Sequence, residues 1–116
     1  MPVFTNHEKG LFNGTEEITL VPAPARGLTI VTMLRIINTD SEDITLKIRI
    51  LDSDKLGFDD EYIRIVNDIT LATSEYLEYD GVVCVLNPKQ TLVAELSGAV
   101  TTTEPEWMSV WARETY

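Results

Sequence analysis

The sequence has few of the residues on which catalysis and metal binding usually depend. It contains one histidine, His7, and one cysteine, Cys84. A hydrolytic triad needs a base beside its nucleophile, and His7 lies in a polar N-terminal segment, where we expect it to be solvated. One histidine and one cysteine cannot supply the four ligands of a structural zinc site. We therefore expect a protein that is not an enzyme and that carries no cofactor.

The single cysteine also indicates the redox state of the compartment in which the protein resides. Cys84 lies in the apolar run 82–86 (VVCVL), so we expect it to act as a small buried hydrophobic residue in a reducing environment. The first ten residues lack an apolar segment behind basic residues, and no apolar run approaches the roughly 20 residues that cross a bilayer. These absences predict a soluble protein that does not use the classical secretory route.

Basic residues are few compared with acidic ones. Nine Lys and Arg stand against 19 Asp and Glu, which gives a net charge of −10. A surface of this sign repels phosphate backbones and anionic lipid headgroups. Nucleic acid and membranes are therefore excluded as expected partners.

Five of these acidic residues lie in residues 52–61 (DSDKLGFDDE). Asp52, Asp54 and Gly57 match the calcium loop of an EF-hand, but Leu56 and Ile63 stand where that loop needs oxygen ligands. The flanking segments also read as strands rather than helices. An irregular calcium site built from Asp52, Asp54, Asp59, Asp60 or Glu61 stays open as an alternative, and we expect a metal-independent, solvated loop.

Alternating apolar residues dominate the rest of the chain. Two stretches, Leu28–Ile37 and residues 44–51, are separated by the polar residues 38–43. The second stretch alternates apolar and polar residues, and the first is apolar on both sides. One side of the first stretch holds Leu28, Ile30, Leu34 and Ile36, and the other holds Val31, Met33 and Ile37. Together the stretches predict a long antiparallel hairpin.

Further strands are predicted after this hairpin. Residues 82–86 and 91–96 flank the turn 87–90 and predict a second hairpin. No stretch has the spacing of an amphipathic helix, and 116 residues suffice for one domain. We predict a single all-β domain spanning residues 1–116, with residues 1–14 as an extended N-terminal arm. Its fold is an antiparallel β-sandwich of about seven or eight strands, with immunoglobulin-like or jelly-roll topology.

The closing strand, around residues 107–113, is apolar on both faces. Trp107 and Trp111 share one face, and Met108 and Val110 share the other. A terminal strand covered on both sides indicates contact with another subunit. These four residues are the candidate interface, although a core position for the two tryptophans is the simpler interpretation.

Three segments in this order resemble small tailed-bacteriophage virion proteins. They are residues 19–31 (TLVPAPARGLTIV), 86–94 (LNPKQTLVA) and 111–116 (WARETY). In that group a Pro-Ala-x-Gly corner precedes a long strand, and a Pro-Gly-x-x-Leu turn precedes a late strand. Lys89 stands here where that turn usually has glycine. The resemblance covers residues 18–116, and no functional residues carry over from it.

The resemblance implies a non-enzymatic virion structural protein that decorates a capsid or belongs to a tail. Such a protein is synthesised in the host bacterial cytoplasm and becomes part of the virion. Its expected partners are a major capsid or tail protein and further copies of itself. A carbohydrate- or receptor-binding β-sandwich is the alternative function, and a shallow groove with Trp107 or Trp111 on its floor would favour it.

Overall fold

A computed structural model describes residues 3–53 and 62–114, which form eight β-strands and no α-helix. The strands are β1 (Val3–Leu11), β2 (Ile18–Val21), β3 (Leu28–Ile37), β4 (Ile44–Asp52), β5 (Tyr62–Leu71), β6 (Tyr76–Leu86), β7 (Gln90–Leu96) and β8 (Glu106–Glu114). In this part of the chain, no helix is long and apolar enough to cross a membrane.

The strands form two antiparallel sheets of four. The first sheet has the order β1-β8-β3-β6, and the second has the order β2-β7-β4-β5. Successive strands lie in opposite sheets, except that β4 and β5 are neighbours in the second. This is the strand order of a jelly roll. The predicted antiparallel β-sandwich is confirmed, and of the two topologies considered the jelly roll is the one observed.

Both predicted hairpins are wrong, although their strands are present. β3 pairs with β6 and β8, whereas β4 pairs with β5 and β7. Likewise β6 and β7 lie in different sheets. The apolar side of a strand is buried in the core whether the next strand of the chain pairs with it in the same sheet or faces it from the other sheet. Alternation alone therefore does not distinguish a hairpin from a connection between sheets. Here both connections cross from one sheet to the other.

Most of the predicted N-terminal arm belongs to the sandwich. Residues 3–11 form β1, which pairs with β8 along its whole length from Val3↔Glu114 to Leu11↔Glu106. β1 is an edge strand of the first sheet, and its residues 5–9 (TNHEK) are exposed. His7 is exposed on this strand.

The core lies between the two sheets and is apolar. Leu34 and Ile36 enter it from the first sheet, and Leu46 and Ile48 enter it from the second. One polar contact crosses it, because the Ser109 hydroxyl donates to the carbonyl oxygen of Leu20 at 2.7 Å. That bond links β8 of the first sheet to β2 of the second.

Buried polar groups hold the connection between β3 and β4. Asn38 is fully buried, and its side-chain amide donates to the carbonyl oxygens of Leu71 at 3.0 Å and Glu42 at 2.9 Å. Its side-chain oxygen accepts the backbone N–H of Asp40 at 2.8 Å. Because a buried amide is costly unless its hydrogen bonds are satisfied, these contacts fix the path of the chain between the sheets.

The Asp40 carboxylate joins this connection to the one between β7 and β8. It accepts backbone N–H groups from Thr101 at 3.0 Å, Thr102 at 2.7 Å and Thr103 at 3.2 Å. The Thr102 hydroxyl donates a further bond of 2.9 Å. These bonds, led by the one from Thr101, hold the pKa of Asp40 well below its ordinary value, although burial opposes the shift.

Replacing Asp40 with asparagine is expected to destabilise the fold at neutral pH, because an amide accepts these N–H groups more weakly than a carboxylate. Since the folded pKa is lowered, the contribution of Asp40 is complete above about pH 5. It declines as the pH falls below the ordinary pKa of 3.8. Urea unfolding at pH 7 and pH 3 should therefore show a gap between wild type and Asp40→Asn that narrows in acid. The exposed Asp43→Asn is the control, and a gap equal at both pH values would contradict the assignment.

The inward position of Leu46 gives a second stability prediction. Leu46 is fully buried in the core cluster, so Leu46→Asp should lower the free energy of unfolding by about 3–5 kcal/mol through an unpaired buried charge. Thr19, exposed on the outward side of β2, provides the control variant Thr19→Asp. Equal chemical denaturation curves for the two variants would show that the strand register is wrong.

Candidate interaction surface

The structure separates the four residues of the candidate interface. Trp107 and Trp111 point into the core and are 8% and 5% exposed. The ring of Trp107 lies so close to Gly10 that an added Cβ there would be 3.0 Å from it. Met108 and Val110 lie on the opposite side of β8 and are half-buried. Because core side chains cannot contact a partner, the candidate interface narrows to Met108 and Val110, whose role in binding stays a prediction.

Further apolar residues surround these two on the outward side of the first sheet. Residues that face each other in register point to the same side of a sheet, so the neighbours of β8 residues on β3 and β6 identify the surface. The apolar outer face, as we name it, consists of Ile30, Met33, Ile37, Val85, Met108, Val110 and Ala112. All are half-buried except Val85, which is exposed.

A bulge on β3 determines which residues reach this face. Val31 pairs with Trp111 and Met33 with Val110, so Thr32 is an extra residue opposite β8. The Thr32 hydroxyl donates to the carbonyl oxygen of Val110 at 3.3 Å. After one extra residue, each later side chain of the strand points to the side opposite to the one that strict alternation predicts. The predicted sides of β3 are therefore wrong: Leu34 is inward while Ile30, expected beside it, is outward.

Polar residues and a groove lie at one end of the apolar outer face. Arg35 lies 3.9 Å from the Glu78 carboxylate, between Nε and Oε1, and its guanidinium is 5.2 Å from the centre of the Tyr76 ring. Beside them is an open groove of about 480 Å³. Its lining includes Lys9, Gly10, Leu11, Arg35, Ile37, Glu106, Trp107 and Met108.

On the outward side of the second sheet, several of the described charged side chains form ion pairs. Arg49 Nη2 contacts Glu95 Oε1 at 2.7 Å and Glu17 Oε2 at 3.2 Å. Val93, opposite Arg49 in register, is only 2% exposed. Lys47 contacts Asp68 at 3.8 Å, where a bulge gives Asp68 a φ of 56°. Among the described residues, the second sheet therefore places ion-paired side chains next to Val93, whereas the residues grouped as the apolar outer face of the first sheet carry no charge.

The remaining candidate groups are the Cys84 thiol and the acidic loop. Burial raises the pKa of the Cys84 thiol to about 11, which disfavours the reactive thiolate. In residues 3–53 and 62–114 no three His, Cys, Asp or Glu side chains are grouped as metal ligands. Asp52 accepts a hydrogen bond from the Gln90 side chain at 3.1 Å. The rest of the acidic loop considered for calcium, residues 54–61, lies outside the described residues.

Comparison with known proteins identifies structural neighbours only. No protein-family model matches the sequence, and no curated protein matches it. The Drosophila NLP core, whose structure bears on pentamer formation and histone binding, superposes with a TM-score of 0.54 at 10% identity. That match covers 99% of this chain and all of the NLP chain.

Two further neighbours come from assemblies. A chain of Bacillus endospore appendages, described as disulfide-linked pili, has a TM-score of 0.52 at 9% identity and covers 99% of this chain and 88% of its own. A chain of infectious bursal disease virus, strain Gx, has a TM-score of 0.50 at 14% identity. The match spans 96% of this chain but only 32% of the viral chain. At such identities the comparisons show a shared β-sandwich fold and nothing about activity.

Proposed function

We propose that this protein is a non-enzymatic structural component of a bacteriophage virion, either a capsid decoration protein or a tail-associated protein. The observation that carries the proposal is the difference between the outward sides of the two sheets. Among the described residues, the centre of the first is apolar, and the second carries charged side chains that pair with one another. A contiguous apolar surface on a small domain is typical of a protein–protein interface.

The composition of the apolar outer face suits docking on a second protein. Met33 and Met108 have flexible side chains that adapt to an irregular partner surface. Val110 lies on β8 directly opposite Met33 of β3, at the centre of the sheet. Since the surface is built on three hydrogen-bonded strands, it is already ordered before binding, which lowers the entropic cost of association. We assign the partner as a major capsid or tail protein, with further copies of this chain beside it.

The net charge of −10 fits a component that stays dispersed before assembly. Like charges on free copies repel one another and oppose premature association. Salt screens this repulsion, with a screening length of about 8 Å at physiological ionic strength. Association through the apolar outer face should therefore strengthen as salt is raised.

A carbohydrate- or receptor-binding module is the second candidate, and the groove of about 480 Å³ favours it. Its volume is within the range of small-ligand sites. However, Trp107 is 8% exposed and lies against Gly10, so its ring face is not available for stacking on a sugar. We therefore rank the structural function first.

Replacing Val110 with lysine tests the structural function, because the side chain lies at the centre of the apolar outer face and outside the core. We expect Val110→Lys to fold normally by circular dichroism but to lose binding to capsid or tail protein by about tenfold or more. Sedimentation at two ionic strengths, alone and with the candidate partner, measures the effect. The control Thr70→Lys introduces the same charge on the outward side of the second sheet and should bind as wild type.

Two results would contradict the proposal. One is a wild-type chain that stays monomeric at both ionic strengths and binds no particle protein. The other is equal binding by Val110→Lys and wild type. A reproducible signal on a carbohydrate array, lost when groove residues are changed, would favour the second candidate instead.

A further inference from the structure

We infer that copies of this protein join edge to edge, with β1 of one copy added to β6 of the next. This inference rests on the proposed structural function and deepens it by naming the partner at the sheet edges as a second copy of this chain. Each of these strands has one partner strand among the described residues, β8 for β1 and β3 for β6. Their outer backbone groups are therefore available to an added strand.

Strand direction permits this contact without turning one copy over. β1 is antiparallel to β8, β8 is antiparallel to β3, and β3 is antiparallel to β6. It follows that β1 and β6 run in opposite directions. Two copies placed side by side in the same orientation would thus bring β6 and β1 together as an antiparallel pair. The first sheet would then continue from copy to copy in its own hydrogen-bonding pattern.

Register identifies which residues would meet. Lys9, Met108, Arg35 and Glu78 form one row across the sheet. Extending that row places Glu78 beside Lys9 of the next copy. In the same way, the row through Val110 and Met33 runs from His7 to Asp80.

The charges at the two edges are complementary. β1 presents the ammonium group of Lys9, and β6 presents the carboxylate of Glu78 at the opposite end of the same row. Pairing β6 with a second β6 would instead bring carboxylates together, which is unfavourable for directly opposed like charges. The charges therefore favour a head-to-tail contact between different edges over a two-fold symmetric one.

In the next row, an exposed apolar residue lies at each edge of the sheet. This row runs from Leu11 through Glu106 and Ile37 to Tyr76. Leu11 and Tyr76 are each 58% exposed, and they are two of the four exposed large hydrophobic residues in the described part of the chain. Extension of the sheet would place Tyr76 against Leu11 of the next copy and remove both from water.

A bulge limits the length of the contact. Val31 pairs with Cys84 and Met33 with Asp80, so residues 81–83 oppose a single residue of β3. Gly81 has a φ of 83°, which favours glycine. The regular part of β6 therefore pairs over residues 76–80 with residues 7–11 of the next copy. Such a head-to-tail contact builds a ring if the rotation between copies closes and a filament if it does not.

The test is to reverse the charges of Lys9 and Glu78 by mutation, first one at a time and then together. Lys9→Glu and Glu78→Lys should each weaken self-association by about 3- to 10-fold in sedimentation equilibrium at one fixed ionic strength. The double variant restores opposite charges and the wild-type net charge, so it should recover most of the lost affinity. Glu78→Lys lowers the net negative charge, which by itself would favour association, so a loss in this variant reports a specific contact.

Glu42→Lys is the matched control for net charge, because Glu42 is exposed on the connection between β3 and β4. It should associate at least as strongly as wild type. Melting temperatures of all variants establish that each is folded, which matters for Glu78 because of its contact with Arg35. A double variant no better than the weaker single variant would overturn the inference, as would a wild-type chain that is monomeric at about 1 mM.

The edge contact and the proposed function fail in different ways. If Val110→Lys loses partner binding while the edge variants associate as wild type, the edge contact is wrong and the proposed function stands. If charge exchange behaves as expected while Val110→Lys binds its candidate partner normally, the edge contact stands and the apolar outer face has been misassigned.

Discussion

The arrangement of this sandwich depends on the contact between the Asp40 carboxylate and the backbone of residues 101–103. That contact joins two connections between the sheets, one leading from β3 to β4 and the other from β7 to β8. It thereby helps to place β8 between β1 and β3. Because β8 is central, its inward side supplies Trp107 and Trp111 to the core, while Met108 and Val110 reach the apolar outer face.

Alternation in the sequence predicted the strands, but it predicted neither which strands pair nor which side of β8 is buried. Residues 38–43 are polar and therefore resemble a solvated hairpin turn, yet Asn38 and Asp40 are buried and bonded across to other segments. Long-range hydrogen bonds of this kind leave no local signal. Two residues of the apolar outer face, Met108 and Val110, were among the four named from the sequence, and their role in binding stays a prediction. Ile30 was missed because nothing in the local pattern marks Thr32 as a bulge.

The outward sides of the two sheets differ in the residues that surround their apolar side chains. On the second sheet Arg49, which pairs with Glu17 and Glu95, lies opposite the buried Val93 in register. On the first sheet, apolar residues of β3 and β8 lie side by side on the outward side, while Lys9 on one edge strand and Glu78 on the other carry opposite charges. A face suited to docking and edges suited to extension occur on the same sheet. Under the proposed function, such a division would let one small acidic domain bind a partner and line up beside its own copies.

Oxidative footprinting of methionine tests the central claim, that the apolar outer face is the assembly surface, most directly. Met33 and Met108 are both half-buried on that face, and methionine sulfur reacts readily when accessible. The protein should be treated briefly with oxidant as free monomer and as bound or assembled material, and then analysed by mass spectrometry. We predict that both residues become strongly protected on assembly. Equal oxidation of Met33 and Met108 in the two states would contradict the account.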